Sequence, residues 1–246
     1  MLEHVEEHQG EGTDDDAGLV VPQHGDRSAP QAALVNCPIV ERLVALIGAF
    51  PGAALLLAAI VLASLIGLFA EPSMVERNLF RPFWLVSHRQ YSTLITSAFL
   101  HADLAHLFFN AFTFWAFAFP LERKIGTGAF VALYFCGMLA SDAGTYFKHR
   151  HDPDYQTLGA SGAILAVLFA SIVYSPSSSI FILPIPIPIP APVFAVGYLA
   201  YTYYASRHAR GRINHDAHLA GALAGLAFVA LTDPRAIERA ARVVLG

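Results

Sequence analysis

Charge is what this sequence lacks. Only 14% of its 246 residues are Asp, Glu, Lys or Arg, against roughly a quarter in ordinary soluble domains, which excludes a typical soluble protein. Nineteen acidic and fifteen basic residues leave a net charge of −4, the wrong sign for a nucleic-acid partner. Cysteine is as scarce: Cys37 lies in a polar segment and Cys136 in an apolar run, so no disulfide framework is expected. Zinc-protease spacing is missing too. His149/His151 and His215/His218 are close in sequence, but no glutamate base accompanies them, and neither a metal nor a cofactor is expected. The acidity that remains is concentrated: eight of the nineteen carboxylates fall in the first 26 residues.

Long uncharged runs take the place of charge. No Asp, Glu, Lys or Arg occurs from Leu43 to Ala70, and about 20 apolar residues suffice to cross a bilayer as a helix. Further runs cover Leu104–Leu121 and Ile125–Phe147, the latter interrupted only by Asp142. Tyr155–Ser206 is uncharged but too long for one span. It is cut by prolines at 184, 186, 188, 190 and 192, a spacing that removes too many donors for a helix and predicts an extended loop. Spans near Leu158–Tyr174 and Val193–Ser206 remain on either side, and Ala217–Thr232 is the last. The expected fold is an all-α integral membrane protein with six transmembrane helices. Residues 1–42 are expected to be a disordered acidic tail, 43–232 the membrane domain, and 233–246 a short interfacial helix with Ile237, Ala240, Ala241 and Val244 on one face. With the termini inside, seven basic residues lie inside and eight outside, so charge does not orient the chain.

Polar side chains within spans carry the chemistry, because each needs a partner or a water-filled cavity. His106 and Asn110, four apart near the start of the second span, share a helical face. Ser161 begins the fourth within Gly159-Ala160-Ser161-Gly162, and His218 begins the sixth, followed by Gly221 and Gly225. Alternating traversal puts the starts of spans two, four and six on one side of the membrane, and so gathers all four groups in one leaflet. A serine becomes a nucleophile when a neutral imidazole takes its proton. The resulting oxyanion needs donors such as an Asn amide, a His N–H or a backbone N–H. Gly221 and Gly225 form a small-xxx-small face that can press the sixth helix against the fourth.

These residues resemble the rhomboid intramembrane serine proteases over roughly Ala49–Pro234. The most specific pieces are His101-x4-His106-x3-Asn110, Gly159-Ala160-Ser161-Gly162 and Ala217-His218-x2-Gly221-x3-Gly225. The resemblance implies a six-span rhomboid-like bundle with Ser161 as nucleophile and His218 as general base. It implies oxyanion donors from the Ser161 backbone, His106 and Asn110, and a structural place for His101. It also implies close packing at Gly159, Gly162, Gly221 and Gly225, substrates that are single-span membrane proteins, and a bacterial inner membrane with the amino terminus cytoplasmic and the site facing outward. Leu165 stands four after the serine, where the family often places an aromatic against the base.

A catalytically inactive rhomboid-like scaffold that binds client helices is the alternative function; such relatives typically lack the serine or the histidine. A transporter would show corresponding interruptions in two repeated halves, and these are missing. Substrate access is expected beside the fifth span, with Arg207–Asp216 covering the site from the water side. Asp142 has three readings: a protonated structural carboxyl, which burial favours, a cavity-lining contact, or a third member orienting His218.

Overall fold

The computed structural model describes residues 38–183, 185–208, 211 and 213–246. The expected tail lies outside these up to residue 37. The chain divides into two units at Arg42/Leu43, and the first helix is α1 (Pro38–Ala49). That helix departs from expectation at both ends. It begins inside the segment read as tail, and it stops within the uncharged run that was read as one span. The break is at Phe50 (φ −141°, ψ 62°), because the residue before a proline is pushed out of the helical region. Pro51 then opens α2 (Pro51–Leu65), which runs on as a π turn through Ala70, proline being well suited to the first helical position.

Three short helices, α3 (Pro72–Arg77), α4 (Trp84–Ser87) and α5 (Thr93–Thr96), form the connection to α6 (Leu104–Ile125). α7 (Thr127–His149) and α8 (Ser161–Tyr174) follow, then strands β1 (Ser179–Ile182) and β2 (Ile185–Pro190). The chain continues with α9 (Ala191–His208) and α10 (His215–Thr232) and closes with α11 (Pro234–Leu245). Among the described residues, Pro51–Ala70, α6, α7 and α10 are long and apolar enough to cross a membrane. α8 has fourteen residues, about 21 Å of helix, and α9 is diluted by Tyr198, Tyr201, Thr202, Tyr203 and Tyr204.

The protein is mostly helical, but not all-α. Where an extended loop was expected, β1 and β2 pair antiparallel with Ile180 opposite Ile189 and Ile182 opposite Ile185. Odd-numbered isoleucines thus turn their N–H groups toward β1, and Pro186, Pro188 and Pro190 take the alternate positions, where no ladder donor is required. Alternation tolerates what a helix forbids.

α8 is the centre of the bundle, with eleven of its fourteen residues buried. Small residues on its neighbours make room for it. A Cβ added to Gly137 of α7 would lie 2.3 Å from the Ala166 Cβ, and one at Gly221 or Gly225 of α10 would lie 2.1 or 2.2 Å from the carbonyl oxygen of Gly162 or Ala166. Lipid tails are as apolar as leucine, so helices associate in a bilayer through such close contact rather than through the hydrophobic effect. The expected glycine face is therefore present and is turned toward α8.

The end of this core opposite Ser161 is fixed by polar groups. Glu122, buried near the end of α6, accepts from Gly52 N (2.9 Å), Ala53 N (2.7 Å) and Thr127 Oγ1 (2.7 Å). A carboxylate there satisfies donors that every helix start leaves open. On α11, Asp233 caps Ala236 N at 3.2 Å. Ala236 is buried and Ile237 and Ala240 pack on the core, whereas Val244 is exposed, so the inward face lies slightly earlier in the helix than expected.

Two glycine substitutions should separate close packing from helix propensity. Gly225→Ala should lower stability by about 1–3 kcal/mol through overpacking, read as a drop in thermal midpoint in detergent. Gly197→Ala on α9, where nothing lies within 4 Å of an added Cβ, should be neutral or raise the midpoint, since alanine favours the helix by roughly 0.5–1 kcal/mol.

Candidate active site

Ser161 is the first residue of α8, and its approach segment is tied down from outside. Phe80 N donates to Thr157 O (2.9 Å) and Thr157 N to Phe80 O (3.0 Å), while Gly159 N donates to Ser97 O (3.0 Å). Trp84 Nε1 adds a bond to Pro153 O at 3.1 Å. The connection between α2 and α6 thereby holds the strand-like lead into Ser161. Gly159 has φ +126° and lies so near the His106 ring that a Cβ would meet Cε1 at 2.9 Å. Both conditions call for glycine.

His218 stands in the first turn of α10. Asn214 caps that helix, its Oδ1 accepting from Ala217 N at 3.0 Å, while its Nδ2 donates to Thr145 Oγ1 of α7 at 2.8 Å. Asp216, one residue into α10, meets His149 Nε2 at 3.3 Å and Lys148 Nζ at 3.9 Å. The His149 ring stacks on Tyr155, with centroids 3.5 Å apart, and burial together with the Asp216 charge pushes the Tyr155 hydroxyl up to about 12. These contacts fix the start of α10, and the glycine contacts fix its distance from α8.

The outcome is a direct pair: His218 Nε2 and Ser161 Oγ are 2.8 Å apart. On the far side of the same ring, Nδ1 is 3.2 Å from the hydroxyl of Tyr198 on α9. Asp142 does not fill that place; its Oδ2 is buried and has no hydrogen-bond partner among the described residues. The reading of Asp142 as a third member orienting His218 is thus not supported.

His106 and Asn110 occupy one face of α6, as their spacing predicts. Asp103 caps this helix through His106 N at 2.8 Å, the His106 ring lies against Gly159, and Asn110 Nδ2 donates to the His106 carbonyl at 2.9 Å. Gly162 completes the cluster, facing Ser141 of α7 so closely that a Cβ would be 1.9 Å from its Oγ. Ser161, His218, His106, Asn110, Gly159, Gly162 and Gly221 lie at this one end of the bundle, and Gly225 lies one turn further along α10, against Ala166. Of the segment expected to cover it, residues 209, 210 and 212 lie outside the described residues.

His101 is buried beneath, its ring 4.8 Å from that of His106. Ser64 Oγ donates to Phe99 O at 3.0 Å and therefore accepts from His101 Nδ1 at 2.8 Å, which leaves Nε2 as a bare, buried lone pair. Burial first, then the nearby His106, holds the His101 pKa down to about 3, with Asp103 opposing. Tyr198, Asn214 and Glu122 were missed in the sequence. Asn214 carried a readable signal, a capping residue four before His218. Tyr198 is one of four tyrosines in α9, and nothing in sequence says which of them faces His218.

The fold and this end of it define a helical integral membrane protein with a serine–histidine pair at the start of its most buried helix. The family model described as the Rhomboid domain matches residues 88–235, and the chain belongs to the rhomboid family. Among curated relatives, it is 37% identical over 82 residues to the putative rhomboid protease YdcA of Bacillus subtilis, covering 33% of this chain and 40% of that one. It is 33% identical over 95 residues to the rhomboid protease GluP of the same organism, covering 38% and 18%. The mitochondrial presenilin-associated rhomboid-like protein A of Danio rerio is 30% identical over 138 residues, covering 55% and 36%. The matches span less than half the length of each of these relatives.

His101 gives stability a pH dependence with a definite sign. Its folded pKa is depressed, so the unfolded chain binds the proton more readily below about 6.5. The contribution is complete above pH 6.5 and is lost as pH falls toward 3, with a slope of up to about 1.4 kcal/mol per pH unit. Thermal midpoints between pH 7 and pH 4.5 should fall more steeply for the parent than for His101→Gln.

Proposed function

We propose that this chain is an intramembrane serine endopeptidase that cleaves single-span membrane proteins near the membrane surface. The observation that carries the reading is the 2.8 Å separation of His218 Nε2 and Ser161 Oγ, at the end of a bundle where, among the described residues, neither atom has an ion-pair partner. Ser161 Oγ attacks the scissile carbonyl carbon as its proton passes to Nε2, and the carbonyl electron pair becomes the oxyanion. The Ser161 N–H, left open at the start of α8, is the first donor to that oxygen, with His106 and Asn110 beside it. Collapse breaks the C–N bond, and Nε2 returns the proton to the leaving amine. Water then repeats the cycle on the acyl-enzyme. No metal or cofactor has a role, and no nucleic acid is involved.

In its finer form the reading takes α2 and α6 to α10 as six crossings, with residues 43–232 as the protease domain. The acidic tail over 1–42 precedes it, and an interfacial helix over 233–246 follows. The dyad lies where α6, α8 and α10 begin; we place that end outward from a bacterial inner membrane, with the amino terminus cytoplasmic. α9 suits the role of access helix. Only Ala191, Thr202 and Ala205 are buried along it, and Val193, Val196, Tyr201 and Tyr204 are exposed, so little apolar contact opposes its displacement by a substrate helix.

Co-expression with a single-span reporter tests the reading. The parent should cleave it, and Ser161→Ala and His218→Ala should each lose on the order of 10⁴-fold or more, since a nucleophile and its base act as a unit. Asn110→Ala or His106→Ala should retain residual turnover, lower by about 10²–10³-fold. A parent that binds the reporter without cutting it would instead make the chain a scaffold for client helices.

A further inference from the structure

The mechanism leaves one contact of the base unused. We infer that Tyr198 is a positioning residue for His218: supplied by α9, its hydroxyl accepts from Nδ1–H and so holds the ring with the Nε2 lone pair on Ser161. The inference rests on the proposed serine protease reading and adds to it the group that serves in place of an acid.

Geometry and valence carry it. A neutral imidazole has one donor and one acceptor nitrogen, and among the described residues His218 has one hydrogen-bond partner at each, Ser161 Oγ at 2.8 Å and Tyr198 Oη at 3.2 Å. When Nε2 takes the serine proton, both nitrogens become donors, and the positive ring needs an acceptor at Nδ1. The Tyr198 oxygen has lone pairs free for that bond, whereas Asp142 does not reach it. Tyr198 is itself held in place: its ring lies 5.5 Å from Phe194 at an interplanar angle of 24° and 5.8 Å from Phe169 at 54°. The contact with His218 is made by the Tyr198 hydroxyl, while the Tyr198 ring packs on Phe169 of α8 and Phe194 of α9. The base is therefore held only while α9 lies against α8 and α10. A substrate that displaces α9 on its way in must let it return before Ser161 is fully activated, which ties chemistry to reclosure of the access side.

Tyr198→Phe tests this directly, because it keeps the ring and its packing and removes only the hydroxyl. With purified full-length protein in detergent, two rates are read: labelling of Ser161 by a fluorophosphonate, which needs no access helix movement, and turnover of a transmembrane peptide. A hydrogen bond to a charged group corresponds to a rate factor on the order of 10- to 100-fold. The expected result is a loss of that size in labelling and in kcat, with KM and thermal midpoint close to the parent's. Tyr201→Phe, one turn along α9 with its ring on His215 at 5.5 Å, should leave both rates unchanged. Parental rates for Tyr198→Phe would overturn the inference and leave the protease reading intact. An equal loss in Tyr201→Phe would overturn it as well, by showing a general effect on the helix. Failure of the parent to label at Ser161 would remove the protease reading itself, and this inference with it.

Discussion

The site depends on two helix backbones being allowed to touch. Gly221 of α10 lies against the carbonyl of Gly162, and Gly225 against that of Ala166. Gly162 is the residue after Ser161, and Gly221 is three after His218, so this close backbone approach falls beside the serine–histidine pair. A hydrogen bond of 2.8 Å has little tolerance. A methyl group between the helices would separate them by more than that tolerance, even with serine and histidine both in place. In a soluble enzyme a hydrophobic core could absorb part of the change. Here the surroundings are lipid, and the helices are held by contact alone.

Beyond that contact, helix starts at both ends of the bundle are fixed by polar side chains. Asp103 caps α6, Asn214 caps α10 and reaches Thr145 of α7, and Glu122 closes the start of α2 from the end of α6. In an apolar medium an open N–H costs several kcal/mol, so these bonds also decide where helices begin. The bridge between Phe80 and Thr157 does the same for the segment before Ser161. Rotational freedom of Ser161 and His218 is thus limited by backbone positions that are themselves pinned.

Much of this was legible in the sequence, and the reason is physical. A bilayer punishes charge and unpaired donors so heavily that uncharged runs mark helices, and polar residues within them mark function. Ser161, His218, His106 and Asn110 stood out for that reason, as did the glycine face of α10. Charge counting failed where backbone chemistry decided. It ran past Pro51, where a helix ends without any charge to signal it, and it took alternating prolines for an unpaired loop when their spacing also suits one strand of a hairpin. Tyr198 was hidden for a third reason. Its role follows from the rotation of α9 against α10, and four tyrosines in one helix give no clue to that rotation.

The hairpin between α8 and α9 has a consequence for how copies of this protein meet. A strand at the margin of a sheet ordinarily invites a further strand, because its outer N–H and C=O groups lack partners. On β2 the outward positions from Pro186 to Pro190 are imino acids, so that margin offers acceptors only. Another strand laid along it would find no hydrogens to bind, so a ribbon of hairpins cannot grow through β2. The same prolines that interrupt the helical pattern thus close one margin of the hairpin to a further strand.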